Sequence, residues 1–250
     1  GNYLDAITRV NTVAFDKTGT LTTGRFEVTT VESTGIPASD LLSVLLSVER
    51  KSTHPVAQAV VRYAEKQDSV PMEITDMREL AGHGAEAIVN GRQVLVGNIR
   101  LLAERDIPVP KELSDSVSTV VACAIDGKYA GHLLLSDTLK KDAVDAIRRL
   151  KDLDVKDIRL LSGDKQEIVN QFAERLGVDK AYGNLLPEDK AAYIERLTAE
   201  PDKSVAFVGD GMNDAPVLAL SDVGIAMGGL GSDAAIESAD VVIQTDQPSK

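Results

Sequence analysis

Three aspartates in this 250-residue chain stand where an apolar run gives way to small residues. Asp16 follows Thr12-Val13-Ala14-Phe15. Asp164 follows Asp157 to Leu161 and then Ser162-Gly163, and Asp210 follows Val205-Ala206-Phe207-Val208-Gly209. Short runs of this kind read as strands buried in a parallel sheet. Open α/β sheets place ligands at the C-terminal ends of such strands. After Asp16, Lys17-Thr18-Gly19-Thr20 turns the chain sharply and offers backbone N–H groups to an anion. An aspartate so placed is a nucleophile for a phosphoryl group; the plainer alternative is a carboxylate that caps a turn. Two carboxylates about 4 Å apart repel by roughly 4 kcal/mol at an effective dielectric near 20. Asp16 and Asp210 facing a phosphate therefore require a hard divalent cation such as Mg2+.

The elements that must position these groups alternate between strand and helix from Ser136 onward. Leu139 to Leu153 is amphipathic, with Ala143, Val144, Ile147 and Leu150 inward. Strands at 157–161, 181–182, 205–208, 223–226 and 241–243 are spaced by helices at 166–176, 189–197 and 215–220. That alternation predicts βαβ units and a doubly wound parallel sheet of α/β class. The first strand has no partner before this region, so residues 26–132 read as an inserted α+β domain within a domain made of residues 1–25 and 133–250. Within the insert, Ser39 caps a helix facing inward through Leu41, Leu42, Leu45, Leu46 and Val48. Pro55 opens a second helix with His54 at its cap. Asn90-Gly91 and Asp126-Gly127 are hairpin turns.

A net charge of −12 argues against a nucleic-acid surface and against anionic membrane. The single cysteine excludes an internal disulfide and any Cys-x-x-Cys metal site, and Cys123 reads as core. The first residues read as polar and strand-like, without a signal peptide. No apolar run approaches the eighteen or so residues that span a bilayer.

Asp16-Lys17-Thr18-Gly19-Thr20-Leu21-Thr22 resembles the phosphorylation signature of P-type ATPases, and the resemblance recurs in order along the chain. It implies a haloacid-dehalogenase-like phosphorylation domain in which Asp16 is the phosphoryl acceptor and Mg2+ is held by Asp16, the Thr18 carbonyl and Asp210. Lys17 and Thr18 belong to the signature loop. Lys190 in Leu186-Pro187-Glu188-Asp189-Lys190 matches the lysine that neutralises the transferring phosphoryl group. Ser162-Gly163-Asp164 stands where the family has T-G-D, so Ser162 replaces a threonine and still offers a hydroxyl. Asp137-Thr138-Leu139-Lys140 matches the D-x-x-K stretch that closes the hinge, with Thr138 in it. Asn213 and Asp214, after Asp210-Gly211-Met212, support the Mg2+ shell. Related phosphatases carry a second aspartate two residues after the nucleophile as general acid and base; here that position is Thr18, and the aspartyl phosphate should be long-lived.

The insert resembles the nucleotide-binding domain of heavy-metal P-type ATPases through Glu49, Ser52-Thr53-His54-Pro55, Gly82-His83-Gly84 and Gly97-Asn98. The resemblance implies that His54 faces adenine and Glu49 accepts from its amino group, while Gly82, Gly84 and Gly97 let backbone approach base and ribose. Asn98 has the plainer reading of a helix cap.

The resemblance thus implies the ATP-binding, autophosphorylating piece of a heavy-metal pump, with ATP and Mg2+ as its cofactors. It also implies the pump's membrane and actuator parts as partners, and a place at the cytoplasmic face of a membrane; the piece itself is expected to be soluble and monomeric. Gly231-Ser232-Asp233-Ala234-Ala235-Ile236-Glu237 looks more like the zinc, cadmium and lead branch than the copper branch. The alternatives are a copper pump, a free-standing phosphatase and a nucleotide-sensing module.

Overall fold

The computed structural model describes residues 2–80, 82–209, 214–228 and 233–250. The chain divides into two compact units, Gly1–Gly24 with Thr138–Lys250, and Arg25–Asp137. The sequence places the second passage at 132/133; it lies five residues later because the strand that leaves the insert runs on without a break to Leu139.

The first unit opens with helix α1 (Asn2–Arg9) and strand β1 (Thr12–Asp16). A helix at the N-terminus corrects the strand-like reading of these residues. Its apolar residues Tyr3, Leu4 and Ile7 fall at helical spacing, yet the helix buries none of its residues and leaves these three exposed. Strand β2 (Thr22–Ser33) then leads into the second unit.

That unit is built from α2 (Ala38–Glu49), α3 (Pro55–Lys66), β3 (Ile74–Leu80), β4 (Gly84–Val89), β5 (Arg92–Gly97), α4 (Ile99–Glu104), α5 (Lys111–Ser114), β6 (Thr119–Ile125) and β7 (Lys128–Leu139). Its antiparallel sheet has the order β2-β7-β6-β5-β4-β3. Helices α2 and α3 cover one face through Leu41, Leu45, Val48, Ala59 and Val60, while α4 covers part of the other through Leu101 and Leu102. Fully burying each large aliphatic side chain contributes about 1.5–3 kcal/mol. Pro37, not Ser39, is the residue before α2; Ser39 lies inside the first turn. Asn90 and Gly91, and Asp126 and Gly127, all take positive φ, as two-residue hairpin turns demand.

The first unit resumes with α6 (Ala143–Asp152), β8 (Asp157–Leu161), α7 (Gln166–Leu176), β9 (Lys180–Tyr182), α8 (Pro187–Thr198), β10 (Val205–Gly209), α9 (Ala215–Leu220), β11 (Val223–Met227), α10 (Asp233–Ser238) and β12 (Val241–Ile243). Its strands are parallel, in the order β12-β11-β10-β1-β8-β9. Val13 and Phe15 of β1 face a core with Ile147 of α6 and Val169 and Phe172 of α7. Ala14 faces Ile194 of α8 and Val217 of α9 on the other side. Leu139 ends a strand rather than starting a helix, and Val144 is 49% exposed rather than inward, because α6 begins only at Ala143. The chain runs outward from β1 through β8 and β9, then returns to β10 on the opposite side. Strand order therefore reverses beside β1, the switch point where such sheets bind ligands. Among the described residues no helix is long and apolar enough to cross a membrane.

Candidate phosphoryl-transfer site

Asp16 ends β1 between β8 and β10, with its side chain 9% exposed. Lys17 to Thr20 form a type II turn: Thr18 has φ −71°, ψ 123° and Gly19 has φ 79°, ψ −11°. Only glycine takes the second of these conformations without strain. Thr22 Oγ1 accepts from Gly19 N at 3.1 Å and donates to Lys17 O at 3.3 Å. Lys140 Nζ donates to Gly19 O at 2.9 Å.

Two groups from distant parts of the chain converge on Asp16. Lys190 Nζ lies 2.6 Å from Asp16 Oδ1 and 3.9 Å from Asp214 Oδ1. Lys190 is held there because α8 starts at Pro187, earlier than the expected Asp189, and Asp189 Oδ2 accepts from Leu186 N at 2.9 Å to cap that end. Asp214 is buried, entering beneath the end of β10 where Gly209 leaves room; a Cβ on Gly209 would lie 2.8 Å from Asp214 Oδ2. Burial, and then the charge of Asp214, push the Asp16 carboxyl up to about 7, against the pull of Lys190. A buried carboxyl pair offset by one ammonium is short of positive charge, and its oxygen donors suit Mg2+.

Lys17 is 1% exposed, with its ammonium 2.7 Å from Asp164 and 4.3 Å above the Phe172 ring. Ser162 is buried after β8, and its Oγ accepts from Asp164 N at 3.1 Å. Gly163 passes close to the chain: a Cβ there would lie 3.2 Å from Leu185 O. Thr138 Oγ1 shares a 2.9 Å hydrogen bond with Thr23 Oγ1. Asp210, Asn213, Gly231 and Ser232, all singled out in the sequence, lie outside the described residues. Among the described residues no group of three or more His, Cys, Asp or Glu side chains is arranged to hold a metal.

The second unit carries the other motif residues. His54 caps α3, its Nδ1 accepting from Val56 N at 3.3 Å. Asn98 caps α4 through Leu101 N at 3.0 Å and donates to Gly82 O at 3.1 Å, tying the Gly82 loop to that helix. Gly84 and Gly97 face each other across β4 and β5. A Cβ on Gly84 would meet Val96 O at 2.1 Å, and one on Gly97 would meet His83 O at 2.1 Å. These two glycines serve the approach of two strands to each other. Gly82, at φ 74°, has nothing within 4 Å of a Cβ position and is the one that borders open space. Glu49, at the end of α2, has its carboxyl raised to about 7 by burial and by Glu79.

The family of haloacid dehalogenase-like hydrolases matches residues 10–222. A solved structure of the catalytic domain of the CPx-ATPase CopB-B is 33% identical, with a TM-score of 0.79, covering 97% of this chain and 88% of that one. The chain belongs to the haloacid dehalogenase-like hydrolases, as a P-type ATPase catalytic domain. A zinc-transporting PIB-type ATPase in an E2.Pi state superposes with a TM-score of 0.82 at 37% identity, covering 99% of this chain and 40% of that one. A zinc-transporting ATPase of Synechocystis sp. is 48% identical over 250 residues, 99% of this chain and 34% of that protein. A cadmium, zinc and cobalt-transporting ATPase of Bacillus subtilis is 44% identical over 100% of this chain and 36% of its own length. A copper-exporting P-type ATPase of Staphylococcus aureus is 37% identical, over 97% and 30%. The chain spans about a third of the length of these curated relatives.

For a P-type ATPase catalytic domain, the structure joins Asp16, Lys190 and Asp214 at one point and pairs Lys17 with Asp164 beside it. Sequence reasoning missed the tie of Lys140 to the nucleophile turn and the influence of Glu79 on Glu49. The D-x-x-K spacing flagged Lys140 without its target. No local pattern flags Glu79.

Proposed function

We propose that this chain binds ATP through the 25–137 unit and accepts its γ-phosphoryl group on Asp16, within a pump for zinc or cadmium. The observation that carries the reading is the Lys190 ammonium 2.6 Å from the carboxylate that ends the central strand. An Asp16 oxygen forms the new bond to phosphorus while the bridging bond to the β-phosphate breaks, so ADP leaves and an aspartyl phosphate remains. Lys190 balances charge that gathers on the phosphoryl oxygens. Asp16, the Thr18 carbonyl and Asp210 are the residues that would hold Mg2+, with Asp214 as support. When bound, the cation supplies charge neutralisation and a template for the phosphate. Thr18, two residues after the nucleophile, has no carboxyl to shuttle a proton to water, which favours a lasting phosphoenzyme over a free-standing phosphatase.

In the second unit the reading assigns adenine to His54 and Glu49, with Gly82 and Asn98 at the floor. The zinc and cadmium reading rests on the higher identity to relatives named for those ions, 48% and 44%, than to the copper exporter, 37%. In the whole pump the chain would sit at the cytoplasmic face, working with membrane and actuator parts. Radiolabelled γ-phosphate ATP tests the reaction: acid-stable, hydroxylamine-sensitive label should appear with Mg2+, vanish in Asp16→Asn, and decay slowly. Fast, sustained Asp16-dependent hydrolysis of phosphomonoesters would support the phosphatase instead.

A further inference from the structure

The type II turn after Asp16 is held from two directions by side chains. Thr22 Oγ1 accepts from Gly19 N at 3.1 Å, and Lys140 Nζ donates to Gly19 O at 2.9 Å. Thr22 is fully buried and Lys140 is 7% exposed, so neither bond competes freely with water. Lys140 is itself fixed: its backbone N donates to Leu21 O at 2.9 Å, and its ammonium pairs with Asp246 Oδ1 at 2.7 Å. The peptide between Thr18 and Gly19 is planar and trans, so its C=O points opposite to its N–H. Fixing the Gly19 N–H on Thr22 therefore turns the Thr18 carbonyl to the side away from Thr22. A type I turn would rotate this same peptide by about 180° and carry the carbonyl with it.

We propose that Thr22 and Lys140 are positioning residues that lock the Thr18–Gly19 peptide and so keep the Thr18 carbonyl presented to Mg2+. The inference rests on the phosphoryl-transfer reading above and adds to it the residues that hold the carbonyl ligand in place. Outer partners of metal ligands typically govern about 10–100-fold in metal affinity. Lys140 acts on the next carbonyl and holds the adjoining Gly19–Thr20 peptide, so its loss loosens the turn while leaving the Thr22 bond to Gly19 N in place.

The test titrates Mg2+ into the 250-residue chain with beryllofluoride and follows the bound signal by fluorine NMR, with hydrogen exchange of the Gly19 amide alongside. Thr22→Val and Lys140→Met should each raise the Mg2+ concentration for half-saturation by about tenfold or more. Thr22→Val should also speed Gly19 exchange, Thr22→Ser should keep both properties near the parent, and ADP binding should stay unchanged throughout. A parental Mg2+ requirement in Lys140→Met, and in Thr22→Val if it folds, overturns the inference. Beryllofluoride binding by the parent without Mg2+ would instead remove the metal reading, and this inference with it.

Discussion

Lys190 reaches Asp16 across 174 residues of sequence to sit 2.6 Å from its Oδ1, while remaining 3.9 Å from Asp214. One ammonium thus serves two buried carboxyls. Lys190→Met should cut phosphoenzyme formation from ATP by about 10²–10³-fold, the usual cost of one charge-stabilising donor. Asp214→Asn should not restore that loss: it removes a carboxyl that pushes the Asp16 proton affinity up, but the same carboxyl would support the Mg2+ shell. Initial rates of phosphoenzyme labelling measure both effects.

Lys17 is among the largest fully buried side chains of the described residues, and Asp164 is its ion-pair partner at 2.7 Å. Removing one member of such a pair leaves a buried charge less well compensated. Asp164 is 41% exposed, so water offsets part of the cost. Asp164→Ala should destabilise the first unit by about 1–3 kcal/mol. Lys17→Met with Asp164→Leu should recover most of it. Urea unfolding of the parent, Lys17→Met, Asp164→Leu and the double variant gives the coupling energy.

Gly84→Ala and Gly97→Ala should each cost about 3 kcal/mol or more, because a Cβ 2.1 Å from a strand carbonyl forces backbone apart. Loss of ATP binding in either would report lost folding. Gly82→Ala meets no atom and bears only its positive φ, at about 1–2 kcal/mol. It should remain folded at 25 °C, so its titration with ATP reads the pocket itself. Thermal melting alongside calorimetric titration separates the two cases.

Glu49 carries a proton-affinity penalty that stability should reveal. Its carboxyl is raised from 4.5 to about 7, chiefly by burial and further by Glu79. Between these values the folded chain binds more protons than the unfolded one, so stability falls as pH rises from 4.5 through 7 and then levels. Glu49→Gln should abolish this decline and melt a few degrees above the parent at pH 8, at about 2–4 °C per kcal/mol. Glu79→Gln should shift the decline to lower pH. Melting of the second unit between pH 4.5 and 8 checks the sign; a parent whose stability rises over that range would overturn it.

Much of this protein was legible in the order of its residues. Apolar runs ending at Asp16 and at Ser162-Gly163-Asp164, with helical stretches alternating from Ser136 onward, determine a parallel α/β sheet with these two carboxylates at strand ends, because strand and helix periodicity are local properties. Positive-φ turns at Asn90-Gly91 and Asp126-Gly127 were legible for the same reason. The short α1 was not, since three apolar residues over eight positions are too short a pattern to separate helix from strand. Nor was the phase of α6, where Val144 falls outward once the helix starts at Ala143.

Tertiary structure alone decided which motif residues act together. The placement of β1 between β8 and β10 joins Asp16 to Lys190 and Asp214, and Lys17 to Asp164 and Phe172. It also brought Lys140 onto Gly19, 121 residues away. Strand pairing by itself requires glycine at 84 and 97, where a Cβ would meet the neighbouring backbone. Each of these depends on which strands lie side by side and how closely two backbones pass. That is settled by the packing of the whole sheet, and local spacing carries no record of it.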